Sequence, residues 1–224
     1  MKKYCVGVFL AALLIGISGC ATNRGVMDYK VNQDANPEAS NPDSAIPANA
    51  KLVMIVQVTD SRAFERRPDK ASTPSLRDGK IDDKSITSRA FARKRNGFGA
   101  AVGDILLPEN RTVNDVIKEA TIKALRVKNY TVVEANSPYA AKATPITLDI
   151  DKFWCWFSPG AMKIAIECQI TVKIRATGIL EAGSEDTISG YARHRAMAAN
   201  TKAWNAGLNA GVEAYIADLE LKLK

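Results

Sequence analysis

The sequence predicts an α+β fold: a mainly antiparallel sheet with two helices packed on one face. Three observations predict it. Between Ile146 and Arg195 apolar and polar residues alternate over long runs, the period of strands with one face on a core and the other toward water. Two further segments, around 113–125 and 204–219, repeat their apolar residues at helical spacing. Both helical stripes need cover, since each large side chain buried contributes about 1.5–3 kcal/mol, and one sheet face supplies it.

The chain opens Met1-Lys2-Lys3 and runs from Val6 to Ile17 in Val, Gly, Phe, Leu, Ala and Ile alone. These dozen residues fall short of the ~20 that span a bilayer, so residues 1–19 read as a signal peptide. Ser18 and Gly19 directly before Cys20 complete a set that resembles the lipobox of bacterial lipoproteins. The resemblance implies that Cys20 becomes the first mature residue and carries acyl chains on its sulfur and its amino group. Each buried methylene then contributes about 0.8 kcal/mol to anchoring. Ala21, where an aspartate would favour the inner membrane, implies the periplasmic face of the outer membrane. The alternative is a plain secretory signal with an incidental cysteine.

Without Lys2 and Lys3 the chain keeps 29 basic residues against 24 acidic, a net charge of about +5. Such an excess suits anionic lipid headgroups or an acidic partner, and export from the cytoplasm argues against nucleic acid. After the signal, residues 20–50 read as the lipidated cysteine and a flexible tether. Asn, Asp, Pro, Ala and Ser dominate there, too little apolar surface to offset ordering entropy. As a coil it would reach roughly 30 Å.

Residues 51–224 suffice for one domain with its own core. Leu52 to Val58 is a compact apolar strand. From Ser61 to Arg111 no period is sustained, which reads as one long loop, and Ser61-Arg62-Ala63-Phe64 echoes in Ser88-Arg89-Ala90-Phe91. Glycines 97, 99 and 103 look faintly like a phosphate-binding loop, but the spacing is not GxGxxG and no helix follows directly. Two readings stay open: a solvated, turn-rich loop, or a binding surface in which Arg89, Phe91, Arg93, Arg95 and Phe98 face an anionic envelope component.

A short strand, Asp104 to Leu107, stops at Pro108. Thr112 to Asp115 then form a capping-box-like helix start. Val113, Val116, Ile117, Ala120, Ala124 and Leu125 share one face of a helix reaching about Lys128, and Asn129 ends it. Tyr130 to Glu134 resumes as a strand. The clearest hairpin follows: Ile146 through Trp156, a turn at Ser158-Pro159-Gly160, and Met162 through Ile174.

Pairing Ile150 with Ile170 places Cys155 opposite Ala165 and Cys168 opposite Lys152. The two sulfurs then lie on opposite faces, too far apart for a bond whose Cα atoms stand within about 7 Å. A bulge near the hairpin tip would restore the disulfide. The tip, Phe153-Trp154-Cys155-Trp156-Phe157, is apolar on both faces. Either the long loop covers its second face, or Trp154 and Trp156 anchor a partner.

A strand from about Asp186 to Arg195 carries the only histidine, His194. No second His or Cys lies at ligand spacing, so it reads as an exposed strand residue and not as a metal ligand or base. The last helix, about Thr201 to Leu221, gathers Trp204, Leu208, Val212, Tyr215, Ile216 and Leu219 on one stripe, capped by Asn200 or Thr201.

The chain also resembles the YajG-type family of bacterial outer-membrane lipoproteins. The resemblance rests on the lipobox, the Asp-Ile-Leu-Leu-Pro run at 104–108, the hairpin from Ile146 to Ala176, the Ser189-Gly190-Tyr191-Ala192 strand and the final helix with Tyr215-Ile216-Ala217-Asp218. It implies no catalytic residues. No pattern calls for a cofactor or metal, and no nucleophile–base set stands out.

The expected function is therefore that of a non-enzymatic, lipid-anchored protein whose periplasmic domain binds another envelope component, a protein or an anionic species. A regulator of a cell-wall synthase and a small-ligand or lipid carrier are the alternatives. A concave apolar pocket of a few hundred Å³ would favour the carrier, and a flat patch around Trp154 and Trp156 a protein partner.

Overall fold

The computed structural model describes residues 24–32, 46–47, 49–95, 100–160 and 162–224. Within them lie β1 (Gly25–Val26), β2 (Lys51–Asp60), α1 (Lys84–Thr87), β3 (Ala90–Arg95), β4 (Ala101–Leu106), α2 (Val113–Val127), β5 (Tyr130–Val132), β6 (Thr144–Ser158), β7 (Ile164–Leu180), β8 (Gly183–Ala196) and α3 (Thr201–Lys222). No helix among the described residues is long and apolar enough to cross a membrane.

The eight strands form one mixed sheet, which overturns the expected mainly antiparallel sheet with two helices. Four pairings are parallel (β1 with β4, β2 with β5 and with β6, β3 with β6) and three are antiparallel. There are three α-helices among the described residues, not two. The physical reason is that period-2 alternation records which face a residue takes and is blind to the direction of the neighbouring strand.

Strand β6 organises the sheet. Its one edge pairs with β7 over residues 147–158. Its other edge is shared end to end: β2 lies along residues 144–150 and β3 along 155–156. Between them the Arg62 guanidinium bridges the gap. Nη1 donates to Phe153 O at 3.1 Å and to Ala90 O at 2.6 Å, and Nη2 to Thr87 O at 2.7 Å. Asp60 receives Nε and Nη2, each at 2.7 Å, so all five guanidinium N–H groups are used.

The larger core lies between the sheet and α2 and α3, which bury Val116, Ile117, Leu125, Leu208, Tyr215 and Leu219 against Leu148, Ile170 and Ile174. A capping box between Thr112 and Asp115 starts α2, and Asn129, with φ of 61°, follows its C-terminus. The Asn200 side chain accepts from Ala203 N at 3.0 Å to start α3. Close approach of α3 to the sheet requires glycine: a Cβ on Gly207 would stand 2.5 Å from Ile166 Cγ2, and one on Gly190 would stand 2.6 Å from Gly211 O.

The other face of the sheet carries a smaller cluster of Leu76, Ile86, Ala90, Leu106 and Trp154. Residues 61–111, read as one loop, contain α1, β3, β4 and a 3-10 turn at Arg77–Gly79. The stretch folds because Leu76, Ile86 and Phe91 bury, scattered without a period. The flexible-tether reading fails for residues 24–32, where β1 joins β4 and Met27, Tyr29 and Val31 enter the main core.

The cysteine geometry is corrected as well. A bulge between Ile150 and Lys152 shifts the hairpin, so Ile150 faces Val172, Phe153 faces Ile170 and Cys155 faces Cys168. Those two are disulfide-bonded, with Cα atoms 4.0 Å apart.

Candidate functional site

Where β1 meets the sheet edge, the structure forms a half-open cavity of about 390 Å³. It forms because β1 adds only two residues to β4, pairing Gly25 with Ile105 and Val26 with Leu106. The start of α3 closes the opposite side. Val26, Met27, Val102, Ile105 and Trp204 give it apolar walls. Trp204 is 2% exposed, and its indole N–H finds no acceptor among the described residues. A buried unmade hydrogen bond of this kind costs about 1–3 kcal/mol.

Lys94 and Arg95 from β3, with Asn200 and Thr201 from the start of α3, supply the polar side. A Cβ on Gly25 would lie 3.0 Å from Lys94 Nζ, so glycine makes room for the ammonium to cross the edge strand. The amino end of α3 adds a partial positive charge of about half an elementary unit. Nearby, the buried Asp104 carboxylate is held by Arg24 Nε at 3.0 Å and by the backbone N–H of Arg77 at 2.8 Å. That acid is thus committed to tying the N-terminal segment to the layer over the far face.

A second, smaller hollow of about 140 Å³ is lined by Asp60, Arg62, Asp82 and Lys84. Its central arginine spends every donor on the fold, so it is a structural joint. Among the described residues no group of three or more His, Cys, Asp or Glu is placed to hold a metal ion.

The residues singled out from sequence scatter. Cys20 and Phe98 lie outside the described residues. Phe91 is 0% exposed within the helix-side core. Trp154 is 1% exposed on the opposite face, where Phe64 packs edge-on at 5.9 Å and Ala71 O accepts its N–H at 3.2 Å. The 61–111 segment therefore covers the tip at Trp154, and neither Phe91 nor Trp154 forms a partner surface. Trp156 is half-buried, 6.4 Å from Tyr191 and beneath Lys152 Nζ at 5.9 Å. Arg89 Nε donates to Ser85 O at 3.1 Å, and Arg93 Nη1 to Ser75 Oγ at 3.1 Å. Of the described residues of that set, Arg95 alone lines the larger cavity.

Sequence reasoning missed Val26, Met27, Lys94 and Trp204 as site residues. A signal exists: Met27, Tyr29 and Val31 alternate with Asp28, Lys30 and Asn32, a strand period inside a stretch whose composition reads as a tether. The helical spacing places Trp204 on the core stripe of its helix, and it does pack there. Nothing in a stripe marks where it meets a gap.

No family model and no curated protein matches the chain. Among solved structures it is similar to the crystal structure of protein XCC0632 from Xanthomonas campestris, of the uncharacterised family DUF330. The TM-score is 0.43 at 9% identity, over 88% of this chain and 93% of that one. The crystal structure of an uncharacterized protein gives a TM-score of 0.40 at 9% identity, over 77% of this chain and 97% of that one. Neither is described as YajG-type.

Proposed function

We propose that this is a non-enzymatic, lipid-anchored envelope protein that carries a small ligand in the cavity between β1, β3, β4 and the start of α3. The observation that carries the reading is the cavity itself. It joins an apolar wall to a basic side within about 390 Å³, inside the range of about 300–1,000 Å³ typical of small-molecule sites. The covering of Trp154 leaves only the half-buried Trp156 of the two tip tryptophans for a protein-docking reading.

Acylation at Cys20, the outer-membrane location and the likeness to YajG-type lipoproteins belong to the same proposal. The Cys155–Cys168 disulfide supports an oxidising compartment. Native mass spectrometry of the full chain, released from membranes in mild detergent, tests the carrier. One stoichiometric small ligand is expected, lost in Val102→Trp. A bare protein whose mass shows only the acylated chain would sink it. Cys20→Ala should move the protein from the membrane to the soluble fraction.

A further inference from the structure

Resting on the reading of this cavity as a ligand site, we infer that its ligand is a single-chain amphiphile with an anionic head, taken from the membrane surface. The walls decide the tail. Val26, Met27, Val102, Ile105 and Trp204 offer apolar contact, and the volume suits one chain better than two. The rim decides the head. Lys94 and Arg95 stand on one side, the amino end of α3 on the other, and both favour a carboxylate or phosphate. The nearby acid, Asp104, already pairs with Arg24, and the Trp204 N–H has no acceptor among the described residues.

Position decides the source. β1 is pinned to the sheet at Gly25, five residues after Cys20. At no more than about 3.6 Å per residue, the cavity wall lies within about 18 Å of an acylated Cys20. A lipid from the leaflet that holds the anchor is thus within reach.

The test uses the full acylated chain in phosphatidylcholine vesicles, with a dibrominated fatty acid as probe and its neutral methyl ester as control. Bromine quenches tryptophan at short range, and Trp204→Phe isolates the part of the signal due to Trp204. We expect saturable, Trp204-dependent quenching by the acid and little by the ester. The apparent affinity should fall about tenfold or more in Lys94→Gln/Arg95→Gln. Equal quenching by acid and ester would leave a ligand site but overturn the anionic head. Quenching by the acid only in Cys20→Ala protein would make the chain's own acyl anchor the occupant and overturn the inference. No quenching by either compound, with or without Cys20, would overturn both the inference and the carrier. The acid–ester comparison needs no variant, so misfolding cannot blunt it.

Discussion

Arg62 stands in for backbone. Where β2 leaves the edge of β6 and β3 has not yet arrived, its guanidinium supplies the donors that Phe153 O, Ala90 O and Thr87 O require. Arg62→Met would leave three buried carbonyls and the Asp60 carboxylate without their partner. A loss of about 3–5 kcal/mol is expected, read as a lower urea midpoint at unchanged slope; a loss below about 1 kcal/mol would refute the joint. Tyrosines report on the same core. Burial pushes Tyr29 and Tyr215 well above their ordinary value of 10.0, and Tyr215 shares a 2.8 Å hydrogen bond with Thr121. A raised folded value means stability that is whole below the unfolded value and is lost as pH climbs past it. Alkaline titration by ultraviolet absorbance should therefore show these two ionising together with loss of near-ultraviolet circular dichroism. Ionisation while the fold persists would contradict their burial.

At the scale of elements, α2, β6, β7, β8 and α3 were legible because each carries a long, consistent period and its own punctuation. The Thr112–Asp115 box and Asn129 both sit where the sequence puts them. Register was not legible. The bulge between Ile150 and Lys152 inserts one residue into an otherwise clean alternation, and alternation alone aligns apolar with apolar in more than one way. That slip is what hid the Cys155–Cys168 bond. Its loop is short, with a sequence separation of 13, so Cys155→Ala/Cys168→Ala should cost about 3 kcal/mol. Denaturation with and without reductant checks this: reductant should lower the wild-type midpoint and leave the double variant's unchanged. Glycines were countable but not interpretable until α3 was placed against the sheet. Gly190→Ala drives a methyl into the Gly211 carbonyl and the Tyr215 backbone N. It should destabilise by about 3 kcal/mol, while Gly178→Ala, with open space around it, should show only the smaller strain of its positive φ. Matching losses would mean that α3 sits further from β8 than described.

For the whole molecule, the sequence reveals the layers but not the cavity, since a cavity is a property of what fails to meet. Its walls come from β1, β4 and α3, segments separated by up to about 180 residues, and no local pattern marks their junction. The pinning of β1 also bears on the proposed anchor. Only residues 21–24 separate Cys20 from the sheet, so acylation at Cys20, as proposed, would hold the domain close to a bilayer and not at the end of a long tether. Met27→Asp should release that segment, reducing stability by about 2–4 kcal/mol and letting protease cut after Lys30 faster; unchanged cleavage would mean the segment is held by other contacts. The shared edge of β6 has one more consequence, for the order in which the chain folds. Residues 144–222 contain β6, β7, β8 and α3 and pair among sequence neighbours, whereas β2 and β3 must wait for a strand that follows them by some sixty residues or more. Local closure precedes distant closure because it sacrifices less chain entropy. Pulse-labelled hydrogen exchange should find β7 and β8 protected first, so a chain delivered from its amino end leaves the edges of β2 and β3 that β6 fills unpaired until its last third arrives.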